Sequence, residues 1–167
     1  MNAPLIYNLF PRLAGSLDRW PDHARRARDM DFDWLFLNPV SQPGFSGSLY
    51  AVRDHFRLNR DFMPKGASGD GMDLLAQCIE DIHDLGLKVM MDLVINHTAI
   101  DSPLVKEHPD WYKRDESGEV LRPSAMDPAD SRIVTVWGDL AEIDNEESPD
   151  RQGLWAFWTE LVEKSLD

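Results

Sequence analysis

The chain has 167 residues, 30 Asp plus Glu against 17 Lys plus Arg, and a net charge of -13, which argues against nucleic acid or an anionic membrane as its main partner. Its 43% hydrophobic content is that of an ordinary globular protein, and no uninterrupted apolar stretch is long enough to cross a bilayer. The single cysteine, Cys78, excludes an internal disulfide, and the Met1–Tyr7 stretch lacks the basic and apolar regions of a secretory leader, so a cytoplasmic location is expected.

Leu5 to Phe10 is a short apolar run closed by Pro11 and reads as a first strand. From Leu17 the period changes. Leu17, Trp20, Ala24, Ala27 and Met30 recur at three and four, which predicts a helix with Pro21 near its start. Arg25, Arg26, Arg28 and Asp29 fall on the solvated face. Trp34 to Leu37 predicts a second strand, ended by Asn38-Pro39, since a proline disfavours helix at the residue before it. A Ser- and Gly-rich loop over 41–48 then leads into Leu49-Tyr50-Ala51-Val52-Arg53-Asp54-His55, the kind of loop that carries binding residues. Asp70 is the expected N-cap of a second helix with an apolar stripe of Met72, Leu75, Ile79 and Ile82, and Gly86 is its expected terminator. Cys78 falls in that helix and reads as core packing.

Lys88 to Thr98 organises the rest. Six of the seven residues from Val89 to Ile95 are apolar, which predicts a strand buried on both faces of a parallel sheet. Asp92 is the exception, and Asn96, His97 and Thr98 follow at the carboxyl end, where parallel α/β proteins bind ligands. Asp92, Asn96 and His97 therefore read as one side of a polar pocket. The plainer reading makes Asp92 a structural acceptor and Asn-His-Thr turn chemistry. The order strand, helix, strand, helix, strand implies right-handed βαβ units. Between Ala99 and Asp150 no strong periodicity appears apart from a strand candidate at Ile133 to Trp137, so this stretch reads as an inserted lid. Helical pattern returns with Leu154, Phe157, Trp158, Leu161 and Val162.

These residues resemble the N-terminal part of the catalytic barrel of the α-amylase family of glycoside hydrolases and transglycosylases. Asp92-Leu-Val-Ile-Asn96-His97 is similar to that family's first signature on barrel strand three, Ser48-Leu-Tyr50-Ala-Val-Arg-Asp54 to its tyrosine loop, and Trp137-Gly-Asp139-Leu140 to the end of its inserted B domain. The resemblance implies an α/β fold, a partial TIM (β/α)8 barrel. Three βα units with two helices would occupy 1–98, a B-type lid 99–150, and the third barrel helix 151–167. It implies that His97 hydrogen-bonds the sugar next to the scissile bond, that Tyr50 stacks on the same ring, and that Asp92 supports the site. Asn96 matches a calcium-binding position of many members, and Asp139 is a second candidate ligand, with a solvated loop acid as its plainer reading. Tyr50 serves equally well as loop packing.

The departures are informative. Many members carry Asp after the tyrosine, where this chain has Ala51, and the acidic calcium motif after strand one is absent from Leu9 to Ser16. The Leu-Tyr-Ala-Val-Arg-Asp and His108-Pro-Asp-Trp-Tyr112 segments resemble the maltosyltransferase-like members. Retaining glycosidases need two carboxylates about 5 Å apart, and no motif here supplies the nucleophile or the acid/base, so no catalytic residue is assigned. The expectation is a part of an enzyme acting on an α-glucan or malto-oligosaccharide, inactive alone and prone to self-association through open barrel edges. The alternative is a non-catalytic carbohydrate-binding module using Trp111, Tyr112, Trp137 and Tyr50.

Overall fold

In a computed structural model, residues 3–166 are described. In chain order the elements are β1 (Ile6–Leu9), α1 (Pro11–Ala14), α2 (Trp20–Asp29), β2 (Trp34–Leu37), β3 (Ser41–Pro43), β4 (Val52–Leu58), α3 (Met72–Asp84) and β5 (Lys88–Met91). There follow β6 (His97–Ala99), α4 (Leu104–Glu107), β7 (Ser124–Met126), β8 (Val134–Val136), β9 (Leu140–Glu142) and α5 (Arg151–Leu166). The chain divides into two compact units. The first runs to Gln42 and resumes over Phe56–Leu93; the second comprises Pro43–His55 and the chain from Val94 onward.

The first unit is built on a three-stranded parallel sheet in the order β1-β2-β5, with α2 and α3 as its successive crossovers. The register aligns Tyr7, Leu35 and Val89 on one face and Asn8, Phe36 and Met90 on the other. Leu35 and Leu37 are fully buried with Trp20 and Ile82, so one face of the sheet is covered. On the opposite face Ile6 and Met90 stay exposed, and the Lys88 ammonium lies 5.1 Å from the centre of the Trp34 ring. This corrects the expected central strand. Pairing stops at Met91, and Met90 is 40% exposed, as are Leu93 and Ile95 to a similar degree. A run of apolar residues is equally compatible with a strand covered on one side, because periodicity does not report whether a second layer is present.

The predicted helices form with shifted ends. Leu17–Arg19 makes a 3-10 turn before α2, and α2 stops at Asp29, which leaves Met30 exposed. Ala24 and Ala27 bury the helix face, and the Trp20 indole donates to the Gly15 carbonyl at 2.9 Å. Asp70 does cap α3, from one position further out: its carboxylate accepts from the Met72 N–H at 3.1 Å while Gly71 takes the left-handed conformation, φ 82°. Leu75, Cys78 and Ile82 form the buried stripe, and Gly86 ends the segment at φ 84°. Burial beside Asp81 pushes the Cys78 thiol up to about 12, which fits core packing rather than a reactive thiol.

The second unit holds an antiparallel β6-β9 pair, which matches His97 with Glu142 and Ala99 with Leu140, and a β7-β8 hairpin. These strands are three residues long, too short to leave a period in the sequence, so the expected featureless lid contains more pairing than its pattern revealed. Strand β8 falls inside the predicted Ile133–Trp137 candidate. Helix α5 buries Leu154, Trp158 and Leu161, and the Trp111 indole donates to the Asp150 carboxylate at 2.9 Å at its start. Trp111 and Tyr112 are buried, the first stacked on His108 at 3.8 Å and the second bonded to Thr98 at 3.0 Å. They are core residues and cannot serve as an exposed sugar platform. No helix among the described residues is long and apolar enough to cross a membrane.

Candidate functional site

Tyr50 stands between two buried neighbours. Leu49 is 4% exposed and Ala51 fully buried, whereas Tyr50 is 42% exposed. The segment is a turn, closed by the Ala51 N–H donating to the Ser48 carbonyl at 3.1 Å, and it leaves Tyr50 exposed while its neighbours are buried. Ala51 packs with Ala99 and Leu140. A carboxylate at this position, where the family resemblance leads one to expect Asp, would be buried without room for its hydration.

The loop is tied to the segment that follows His97. The Asp101 carboxylate accepts from the Phe45 N–H at 3.3 Å and pairs with the Arg53 guanidinium at 3.5 Å. The Ser102 hydroxyl donates to the Arg53 carbonyl at 2.8 Å. At Gly44 a Cβ would collide with the Asp101 carboxylate and with Ala99, so glycine is required by close approach. Gly44, Arg53, Asp101 and Ser102 escaped sequence reasoning, because no local pattern links positions about fifty residues apart.

His97 Nε2 lies 3.0 Å from the Tyr50 carbonyl oxygen. A carbonyl only accepts, so Nε2 carries the hydrogen and Nδ1 the lone pair. Burial lowers the imidazole pKa below its ordinary value, against opposing contributions from the Tyr50 bond, Asp139 and Glu142. Tyr50 and His97, expected to serve one sugar ring, are thus joined through the Tyr50 backbone carbonyl. His55 is buried: its Nε2 meets the Val94 carbonyl at 3.0 Å and its ring packs edge-on against Trp158 at 5.3 Å.

Asp92 belongs to the first unit. Its N–H donates to the Leu37 carbonyl at 2.9 Å and it is half-buried just past the end of β5, so the strand expected over Val89 to Ile95 stops short of it. Asn96 and Asp139 sit at opposite ends of the β6-β9 ladder. The Asn96 carbonyl accepts from Ile143 at 3.0 Å, and the Asp139 carbonyl from Ile100 at 2.8 Å. Asn96 and Ile100 flank the three residues of β6, four steps or about 13 Å apart. Calcium needs six or more oxygens at about 2.3–2.6 Å, and among the described residues no group of three or more His, Cys, Asp or Glu is placed to hold a metal. Asn96 and Asp139 at this spacing do not by themselves supply such a ligand set.

Residues 1–144 match the family model described as the glucanotransferase domain of glycogen debranching enzyme. An α-glucosidase of Pediococcus pentosaceus is 29% identical over 110 residues, 61% of this chain and 18% of that protein. An α-1,4-glucan:maltose-1-phosphate maltosyltransferase of Burkholderia pseudomallei is 28% identical over 119 residues, 71% of this chain and 10% of that protein. Among solved structures, an α-amylase from Lactobacillus plantarum superposes with a TM-score of 0.71 at 27% identity, over 98% of this chain and 35% of that one. The chain thus spans less than a fifth of the length of these two curated relatives. With the signature Asp92-to-His97 and the Tyr50 loop both inside the matched region, the chain belongs to the glycogen debranching enzyme glucanotransferase-domain family, and with it to the wider α-amylase family.

Proposed function

We propose that this chain is the N-terminal part of an α-amylase-family enzyme that cleaves or transfers α-glucosidic bonds with retention, and that it contributes sugar contacts but no catalytic pair. In this reading the first unit corresponds to the opening βα repeats of a (β/α)8 barrel, residues 99–150 to the inserted lid, and α5 to the third barrel helix. The observation that carries the reading is the Tyr50–His97 pair, an outward aromatic ring and an imidazole joined through the Tyr50 carbonyl.

Sugars present apolar ring faces and hydroxyl groups, and the pair answers both. The Tyr50 ring offers a stacking face. His97, neutral and with Nε2–H committed to Tyr50, offers the Nδ1 lone pair to a sugar hydroxyl. Asp92, just past the end of β5, keeps the supporting role that the family resemblance implies. The retaining reaction needs a nucleophile and an acid/base about 5 Å apart, and none of these three residues takes either role.

Product chromatography after prolonged incubation of the 167-residue chain with maltoheptaose tests the reading. No shortening or lengthening of the oligosaccharide is expected. Turnover by the pure chain would overturn it.

A further inference from the structure

The second unit contains a cleft of about 650 Å³ lined by neither Tyr50 nor His97. Its walls carry Trp137 and Asn96, with the carboxylates of Glu142, Asp144, Glu146 and Glu147. The volume falls within the usual ~300–1,000 Å³ of small-molecule sites.

Trp137 is the unusual member. It is 43% exposed, yet its backbone is pinned on both sides: its N–H donates to the Pro123 carbonyl at 3.0 Å, and its own carbonyl accepts from Leu140 at 3.2 Å. The Arg122 guanidinium holds the next carbonyl, that of Gly138. An indole kept in water by a fixed turn is a preformed stacking surface. The facing groups are hydrogen-bond acceptors of the kind sugar hydroxyls satisfy. They do not converge as metal ligands, since among the described residues no group of three or more acids, His or Cys is so placed. Lys113 is the one cation in the lining, and it is paired with Glu142 at 2.8 Å. Asp144, Glu146 and Glu147 therefore give the cleft a negative potential, which penalises a phosphorylated ligand.

We propose that this cleft is a second carbohydrate site that stacks an uncharged α-glucan on Trp137 and discriminates against sugar phosphates. It rests on the reading that α-glucans are the ligand class, but on different residues from the Tyr50–His97 pair.

The test is fluorine NMR of the chain labelled with 5-fluorotryptophan, the Trp137 resonance being assigned by its loss in Trp137→Phe. Maltoheptaose is expected to shift that resonance with a millimolar midpoint, in the wild type and equally in Tyr50→Ala and His97→Ala. In a calorimetric titration of a Tyr50→Ala background, adding Trp137→Ala weakens binding at least tenfold, whereas Trp137→Phe stays within threefold. Maltose 1-phosphate shifts the resonance at least tenfold less readily than maltose at low salt. A Trp137 resonance unmoved at about 20 mM maltoheptaose overturns the cleft while leaving the Tyr50–His97 pair to its own test. Equal responses to maltose and its phosphate overturn the discrimination.

Discussion

At the scale of single residues, the site depends on what surrounds Tyr50 as much as on Tyr50 itself. Ala51 fills a closed contact with Ala99 and Leu140. Ala51→Asp is expected to destabilise the chain by about 3 kcal/mol or more, because it buries an unpaired carboxylate. Urea unfolding measures this, and an unchanged midpoint would contradict it. His55 supplies a pH dependence. Burial lowers its pKa below 6.5, outweighing the raising effects of the Val94 bond and Asp54. Below about pH 6.5 the unfolded chain therefore binds a proton that the folded imidazole refuses, so stability falls as pH falls through that window and is level above it. His55→Gln should flatten the dependence of melting temperature on pH between about 5.5 and 7 relative to the wild type. An identical slope in both proteins would assign the dependence elsewhere.

At the scale of elements, the sequence was legible where a period runs long enough to be read. The β2 strand, the α3 stripe and the α5 stripe follow from spacing, as do Asp70 and Gly86 at the α3 boundaries. The site was legible through Tyr50 and His97, whose motifs are local. Their joining through a carbonyl was not, because it links residues 47 positions apart. Nor were the three-residue strands β6, β7 and β9, or the exposure of β5 on one face, since pairing partners and covering layers leave no local trace. The entry to α3 makes a sharp prediction. Gly71 combines φ 82° with a Cβ position 2.9 Å from Leu58 Cβ, so Gly71→Ala incurs both backbone strain and overpacking. A loss of about 2 kcal/mol is expected from denaturant unfolding, and a neutral or stabilising effect would show that the turn relaxes.

At the scale of the whole molecule, each unit leaves apolar side chains in water. Leu5, Ile6, Met90 and Leu93 are exposed in the first, and Met126, Ile133, Val134 and Val136 in the second. Surfaces of this kind favour association. Sedimentation velocity from micromolar to about 100 µM is expected to show mass rising with concentration, and a monomer throughout would contradict it. The central claim is that the chain binds an α-glucan through Tyr50 and His97 without transforming it. Calorimetric titration of maltoheptaose into Trp137→Ala, and into that background with Tyr50→Ala or His97→Ala added, tests this most directly. The Trp137→Ala chain should bind in the millimolar range, with each double variant binding several-fold to about tenfold more weakly and melting at the temperature of the single variant. Absence of binding by Trp137→Ala, or equal binding by all three, would contradict the claim.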